Sequence, residues 1–272
     1  MDILQKAAAQ NLISFDDEQK YITYVRQNKR RNFQNPEEKV QAEAFCRLVL
    51  EYGYSASRIE MFCTVKMGVA VKEADIIVYH DDERAKPYII AECKSPEVSE
   101  MEFEQAVEQA FSYAQAIAGT VKFVWVTKGN KQDFYQCDKE SNKKVTIADL
   151  PYEGETKANK YTFARGGFYT DKKNGKDEKI RVKDIQPVAE SVLTQIFKQA
   201  HDSIWGGGKY SKSQAFDEFD KLIFCKVWDE RNTDKGEAYQ FQIFSDYDDN
   251  AKNLDALVKR ISARAASPKP GR

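Results

Sequence analysis

Long apolar runs are missing from this sequence: none reaches the ~18 residues a membrane-spanning helix needs, and the opening MDILQKAAAQ lacks the basic-then-apolar build of a secretory leader. These absences point to a cytoplasmic protein that does not enter a membrane. Cysteine is scarce and carries no pairing pattern. Cys46, Cys63, Cys93, Cys137 and Cys225 are odd in number, scattered and without a CxxC spacing, which argues against a disulfide framework and a thiolate zinc site. The only two histidines, His80 and His201, fall in a loop and in a distant helix, so a Cys93 nucleophile has no ready base. Neither a GxxxxGK[ST] phosphate loop nor an Asn-Pro-Pro-Tyr motif occurs, so no ATP or S-adenosylmethionine site is expected in this chain. With 7 prolines and 13 glycines, disorder and collagen-like structure are also excluded.

What remains is an ordinary globular composition, 42% hydrophobic and 31% charged over 272 residues, enough for one larger and one smaller domain. A net charge of -1 does not by itself suggest a nucleic-acid partner. Charge is locally uneven, however. KYITYVRQNKRR, ending in Lys29, Arg30 and Arg31, and DKKNGKDEKIRVK, from Asp171 to Lys183, are each candidate phosphate-contacting rims, or simply solvated faces.

Periodicity marks the elements. In NPEEKVQAEAFCRLVLEYGY, Val40, Ala44 and Leu48 recur at helical spacing, Asn35 and Pro36 open the helix, and Gly53 closes it. ADIIVY (74–79) and YIIAECK (88–94) are β-branched runs separated by a polar turn and should pair antiparallel. FEQAVEQAFSYAQAI (103–117) predicts a second helix and VKFVWVT (121–127) a buried strand, reached by a right-handed crossover. TFARGGFYT is placed on the sheet edge. Beyond Asp184, PVAESVLTQIFKQAHDSIW, FDEFDKLIFCKVWDER and NLDALVKRIS all show helical spacing, separated by Gly206–Gly208 and by the stretch from Asn232 to Asp248. The division expected is an α/β domain over residues 1–184 and a helical domain over 185–272.

Strand alternation sends Glu92 and Lys94 to one side and Ala91 and Cys93 to the other. The expected hairpin brings Asp75 beside Glu92. Two carboxylates and an ammonium in one cleft are the kit of phosphodiester hydrolysis: hard oxygen ligands for Mg²⁺ and a cation for the water or the developing charge. The backbone carbonyl of Cys93 offers a third ligand. The competing interpretation is a Glu92–Lys94 salt bridge at a sheet edge with Asp75 in a turn. Glu43 is expected on the margin of the first helix's apolar stripe, facing the sheet. Gln105, Gln109 and Tyr113 form a polar ridge on the second helix that can reach a DNA backbone or the cleft.

This order, helix with Glu43, strand with Asp75, strand with Glu92-Cys93-Lys94, helix with Gln109 and Tyr113, resembles the PD-(D/E)xK nuclease superfamily. More specifically, it resembles the amino-terminal nuclease domain of type I restriction subunits, through NPEEKVQAE, LEYGY, RIEMFCTVKMG, EADIIVY, IIAECKSP and the Gln-x-x-x-Tyr pair. The resemblance covers about residues 30–130, and departs where Ala74 stands in place of the proline that gives the superfamily its name. It implies a restriction-endonuclease-like mixed sheet flanked by helices. It further implies Asp75 and Glu92 as metal ligands, Lys94 as the catalytic lysine, Glu43 as an accessory acid, and Gln109 and Tyr113 as auxiliary residues. Mg²⁺, with Mn²⁺ able to substitute, is the cofactor implied, and double-stranded DNA the substrate. QAFDEFDKLIFCKVWDERN and AYQFQIF look like the helical segment preceding the catalytic domain of adenine-N6 DNA methyltransferases, implying methyltransferase and specificity modules as partners, in cis or as subunits. On this view the chain is expected to be the front part of a larger restriction-modification enzyme. A non-catalytic DNA-binding or assembly module of the same fold is the alternative, which the presence of Asp75, Glu92 and Lys94 disfavours.

Overall fold

The computed structural model describes residues 2–242 apart from 69, 118–119, 139–142, 156, 174–175 and 206–210, together with 259, 261–263 and 266. Two compact units divide between Ala158 and Asn159.

The first unit opens with α1 (Ile3–Ala9) and a three-stranded antiparallel sheet of β1 (Ile13–Phe15), β2 (Tyr21–Tyr24) and β3 (Lys29–Asn32). Sequence periodicity marks no element in this stretch. Next comes α2 (Pro36–Leu50), as predicted: the Asn35 side chain accepts from the Glu37 N–H, and proline occupies the first turn, where its missing N–H costs nothing. Then β4 (Ile59–Met67), β5 (Ala70–Tyr79) and β6 (Pro87–Cys93) run as an antiparallel meander. The helix α3 (Glu100–Ala116) starts at a Ser99–Glu102 capping box and carries the chain to β7 (Phe123–Thr127), parallel to β6, as the crossover required. Antiparallel β8 (Gln132–Asp138) and β9 (Lys143–Ile147) complete a six-stranded mixed sheet of order β4-β5-β6-β7-β8-β9.

Helices flank both faces of this sheet, which explains why β6 and β7 read as continuous apolar runs rather than alternating ones. On one face Ile76, Ile89, Ala91 and Trp125 pack with Phe45 and Leu48 of α2 and with Ile22 and Tyr24 of the small sheet. On the other, Ile77, Ile90, Val124 and Val126 pack with Phe103, Val107 and Ala110 of α3. Trp125 is fully buried, and removing roughly 200 Å² of such a ring from water stabilises by about 5 kcal/mol. β6, with Glu92, lies at the centre of the sheet, not at an edge.

The second unit holds an antiparallel hairpin, β10 (Phe168–Lys173) and β11 (Lys176–Arg181), then α4 (Glu190–Trp205) and α5 (Lys212–Asn232). TFARGGFYT therefore does not edge the main sheet, whose edges are β4 and β9. Its backbone is taken up locally, with Ala164 N–H donating to Lys183, Arg165 N–H to Glu237 and Thr170 N–H to Gly236 carbonyls. Those bonds also tie the hairpin to the stretch following α5, so the units divide ahead of residue 184. Two of the three C-terminal helices expected are present; the third, NLDALVKRIS, lies almost wholly outside the described residues, as do Gly206–Gly208. No helix among the described residues is long and apolar enough to cross a membrane.

Candidate active site

The register that pairs Ile76 with Ala91 places Asp75 one step further on, across from Glu92. On its other side, Asp75 faces a break in the β4–β5 ladder at Phe62, a residue held at φ 55°. A left-handed conformation is costly for a bulky side chain and persists only where the surroundings impose it. Here the break coincides with the point at which an acidic side chain enters the sheet.

Asp75 is buried, and both its oxygens are used. Oδ2 accepts the Cys93 N–H at 2.7 Å and Oδ1 accepts Gln41 Nε2 at 2.8 Å. Glu92 is only 1% exposed. Its Oε1 accepts Lys94 Nζ at 2.7 Å and Gln109 Nε2 at 2.8 Å, while Oε2, also buried, has no hydrogen-bond partner among the described residues. Gln109 Nε2 further donates to the Tyr113 hydroxyl oxygen at 2.6 Å. Lys94 follows the end of β6, its N–H held by the Thr127 carbonyl at 2.8 Å, so the strand stays in line as far as the ammonium. As the alternation predicted, Ala91 and Cys93 enter the core on the α2 face while Glu92 meets α3.

Burial is the largest cause of a raised Glu92 pKa, and the neighbouring Asp75 raises it further against the opposing pull of Lys94. Burial raises Asp75 too, offset in part by the Cys93 N–H and Lys94. For Lys94, burial works against the charge, but Glu92 and Asp75 outweigh it and its pKa rises. Two carboxylates that resist joint ionisation, one with a buried lone oxygen, can be balanced either by a retained proton or by a cation. Hard oxygen donors suit Mg²⁺, which usually takes one or two carboxylates and keeps water in its remaining positions. Among the described residues no three His, Cys, Asp or Glu side chains cluster closely enough to hold a metal by themselves, so further ligands would have to come from the backbone, such as the Cys93 carbonyl, or from water.

Four of the expected residues thus converge with Asp75 and Glu92 at the centre: Lys94, Gln109, Tyr113 and the backbone of Cys93. Glu43 does not join them. It stands on the exposed face of α2, with Asp2 and Arg47 as its charged neighbours, because two residues beyond Gln41 is about 200° around a helix. The helix side chain that does reach the pair is Gln41. Beside it Glu38, 5% exposed, receives the Tyr24 hydroxyl at 2.6 Å, and burial lifts its pKa to about 7 although that bond opposes the shift. A signal for both was present in the sequence, since Glu38, Gln41, Ala42 and Phe45 follow the i, i+3, i+4, i+7 stripe, where polar residues are out of place. Gln41→Ala is expected to weaken metal binding roughly 10–100-fold, as loss of a ligand-orienting hydrogen bond does, and Glu43→Ala to leave it unchanged, both read by Mn²⁺ titration.

Gln105 lies one turn before Gln109 and is exposed. The basic run on β3 is mostly engaged within the protein. Lys29 Nζ donates to the carbonyls of Met61 and Phe62 at the β4 break. Arg30 lies over the Tyr21 ring at 4.1 Å and near Asp16, and Arg31 over the Phe62 ring at 3.7 Å with an ion pair to Glu73 at 3.2 Å.

The stretch holding all of the convergent residues has a recognisable relative. Residues 36–151 match the family model of the type I restriction enzyme R protein N terminus. The match begins at the first residue of α2 and includes β4 to β9, and with them Gln41, Asp75, Glu92, Lys94, Gln109 and Tyr113. Comparison with curated proteins returns no match for the chain.

Proposed function

We propose that the chain carries the nuclease part of a restriction-modification enzyme, hydrolysing phosphodiester bonds of double-stranded DNA with Mg²⁺, or with Mn²⁺ in its place. The observation that carries this reading is the buried pair Asp75 and Glu92, with one oxygen left unpartnered beside the Lys94 ammonium. The family match over residues 36–151 supports it independently. Asp75, Glu92 and the Cys93 carbonyl would hold the ion, which when bound supplies Lewis acidity toward the phosphate and eases deprotonation of water. Lys94, tethered by Glu92, orients the attacking water or neutralises charge gathering on the phosphate oxygens. Gln109 fixes the Glu92 carboxylate and Tyr113 fixes Gln109, so the two act as positioning residues.

In the same reading α5 and the AYQFQIF stretch after it, which resemble the segment ahead of adenine-N6 methyltransferase domains, belong to the junction with methyltransferase and specificity modules. The deciding experiment is nicking of supercoiled plasmid by the chain with Mg²⁺ or Mn²⁺, beside its Asp75→Ala variant. Metal-dependent nicking that disappears in the variant is the expected result. Equal nicking by both proteins, or Mn²⁺ binding that survives Asp75→Ala undiminished, would remove the site.

A further inference from the structure

Among the described residues β6 pairs with β5 only from Ile76 to Tyr79, so β5 before Asp75 has no strand neighbour there but β4. The two continue outward for five more cross-strand pairs, from Cys63 opposite Ala74 to Met67 opposite Ala70, as a two-stranded ribbon that starts at the candidate metal ligand. Its root is anchored: Cys63, Val65 and Ala74 are buried in the α3-side core. Past the root the face carrying Lys66 and Val71 is exposed, and on the other face Lys72 is itself exposed although Val65 opposite it is buried. Lys66 opposes Val71 on one face, with Val71 65% exposed, and Lys72 extends from the other, opposite Val65. Neither lysine has an ion-pair partner among the described residues, whereas Glu73, the acid of the ribbon, is already neutralised by Arg31. The arm therefore carries two free positive charges, one per face, in a chain whose net charge is -1.

We infer that this ribbon is a DNA-gripping arm, entering a groove of the duplex next to the bond to be cut, with Lys66 and Lys72 each taking a phosphate from one of the groove's two rims. The inference rests on DNA being the substrate of the adjoining site. Scale supports it. Four residue steps along β5 lead from Asp75 to Val71 of the Lys66–Val71 pair, about 13 Å, which is roughly four nucleotides of axial rise along one strand of a duplex. A two-stranded ribbon is also an element that the major groove, about 12 Å wide, accommodates. Arg31 pairs with Glu73 at the ribbon's root, on the strand face that leads to Asp75.

The test is the Lys66→Ala/Lys72→Ala double variant of the full chain, with binding to a mixed-sequence duplex of about 20 base pairs, two helical turns, measured across a salt series in Ca²⁺. Both positions are exposed and outside the core, so the fold is not at stake. The slope of log affinity against log salt is expected to fall by nearly 2, about 0.9 for each phosphate no longer neutralised, with affinity about tenfold or more weaker near 0.1 M salt. Mn²⁺ titration of the same proteins reads Asp75 and Glu92 alone and should not change. An unaltered salt slope and affinity would overturn the arm while leaving the metal site standing. A flattened slope in a chain that binds no Mn²⁺ would support the arm and count against the nuclease reading instead.

Discussion

Lys94→Ala is expected to bind Mn²⁺ as tightly as the unaltered chain and to nick plasmid at least about 10²–10³-fold more slowly, the usual consequence of removing a group that stabilises charge only as the bond breaks. The geometry separates binding from catalysis here. Lys94 donates to Glu92 Oε1, while the unpartnered Oε2 and the Asp75 carboxylate do not depend on it. Single-turnover nicking with each protein saturated in metal checks the rate, and Lys94→Arg serves as the control: a guanidinium retains charge but not the compact ammonium geometry. A Lys94→Ala protein that cuts at the normal rate yet unfolds several degrees earlier would show that the Glu92–Lys94 pair is only a strut.

The second large effect concerns stability. Removing metal should leave a protein that becomes less stable as the pH rises, and adding it should reverse that trend. The folded-state pKa values of Asp75 and Glu92 lie above those of the unfolded chain, through burial and, for Glu92, through Asp75 as well. Groups shifted upward contribute stability in full below the ordinary carboxylate pKa, about 4, and lose it as the pH climbs through their raised values. Glu38, raised to about 7, adds a loss of the same sign near neutrality. A divalent cation binds only the ionised pair, so its stabilisation grows with pH. At metal a hundredfold above its dissociation constant it contributes about 2.7 kcal/mol, a rise of roughly 5–10 °C in melting temperature for a domain of this size. Glu92→Gln should abolish that rise. It should also make the metal-free protein more stable than the parent at pH 8, by on the order of 1 kcal/mol, because a neutral amide replaces a buried charge. Thermal melts of both proteins at pH 6 and pH 8, with and without Mg²⁺, distinguish this outcome from a structural role, in which Glu92→Gln would lower the melting temperature under every condition.

The sequence encodes part of this site through local rules. Alternation alone puts Glu92 and Lys94 on one face, and the polar turn before Pro87 brings Asp75 back to Glu92, since strand period and hairpin return are local properties. The i, i+4 spacing of Gln109 and Tyr113 likewise guarantees that whatever Gln109 meets, Tyr113 stands beside it. The helix acid Glu43 fails for a different reason: the edge of an apolar stripe is ambiguous by about one residue in either direction, and only docking of α2 on the sheet selects Gln41 and Glu38 over Glu43. The basic run shows the same weakness, because Lys29, Arg30 and Arg31 have the same charge on paper but different neighbours in space.

Local pattern by itself determined α2, α3, the central strands, and the pairing of the two carboxylates with the lysine, each a matter of period, cap or turn within a short stretch. Only the tertiary structure decided that β6 lies at the sheet's centre, that Glu92 keeps a buried oxygen without a partner among the described residues, and that Gln41 and not Glu43 faces the site. It also decided that the β4–β5 strands outrun their neighbours into solvent. Burial and partner choice depend on segments far apart in the chain coming together, and no short-range pattern contains that information.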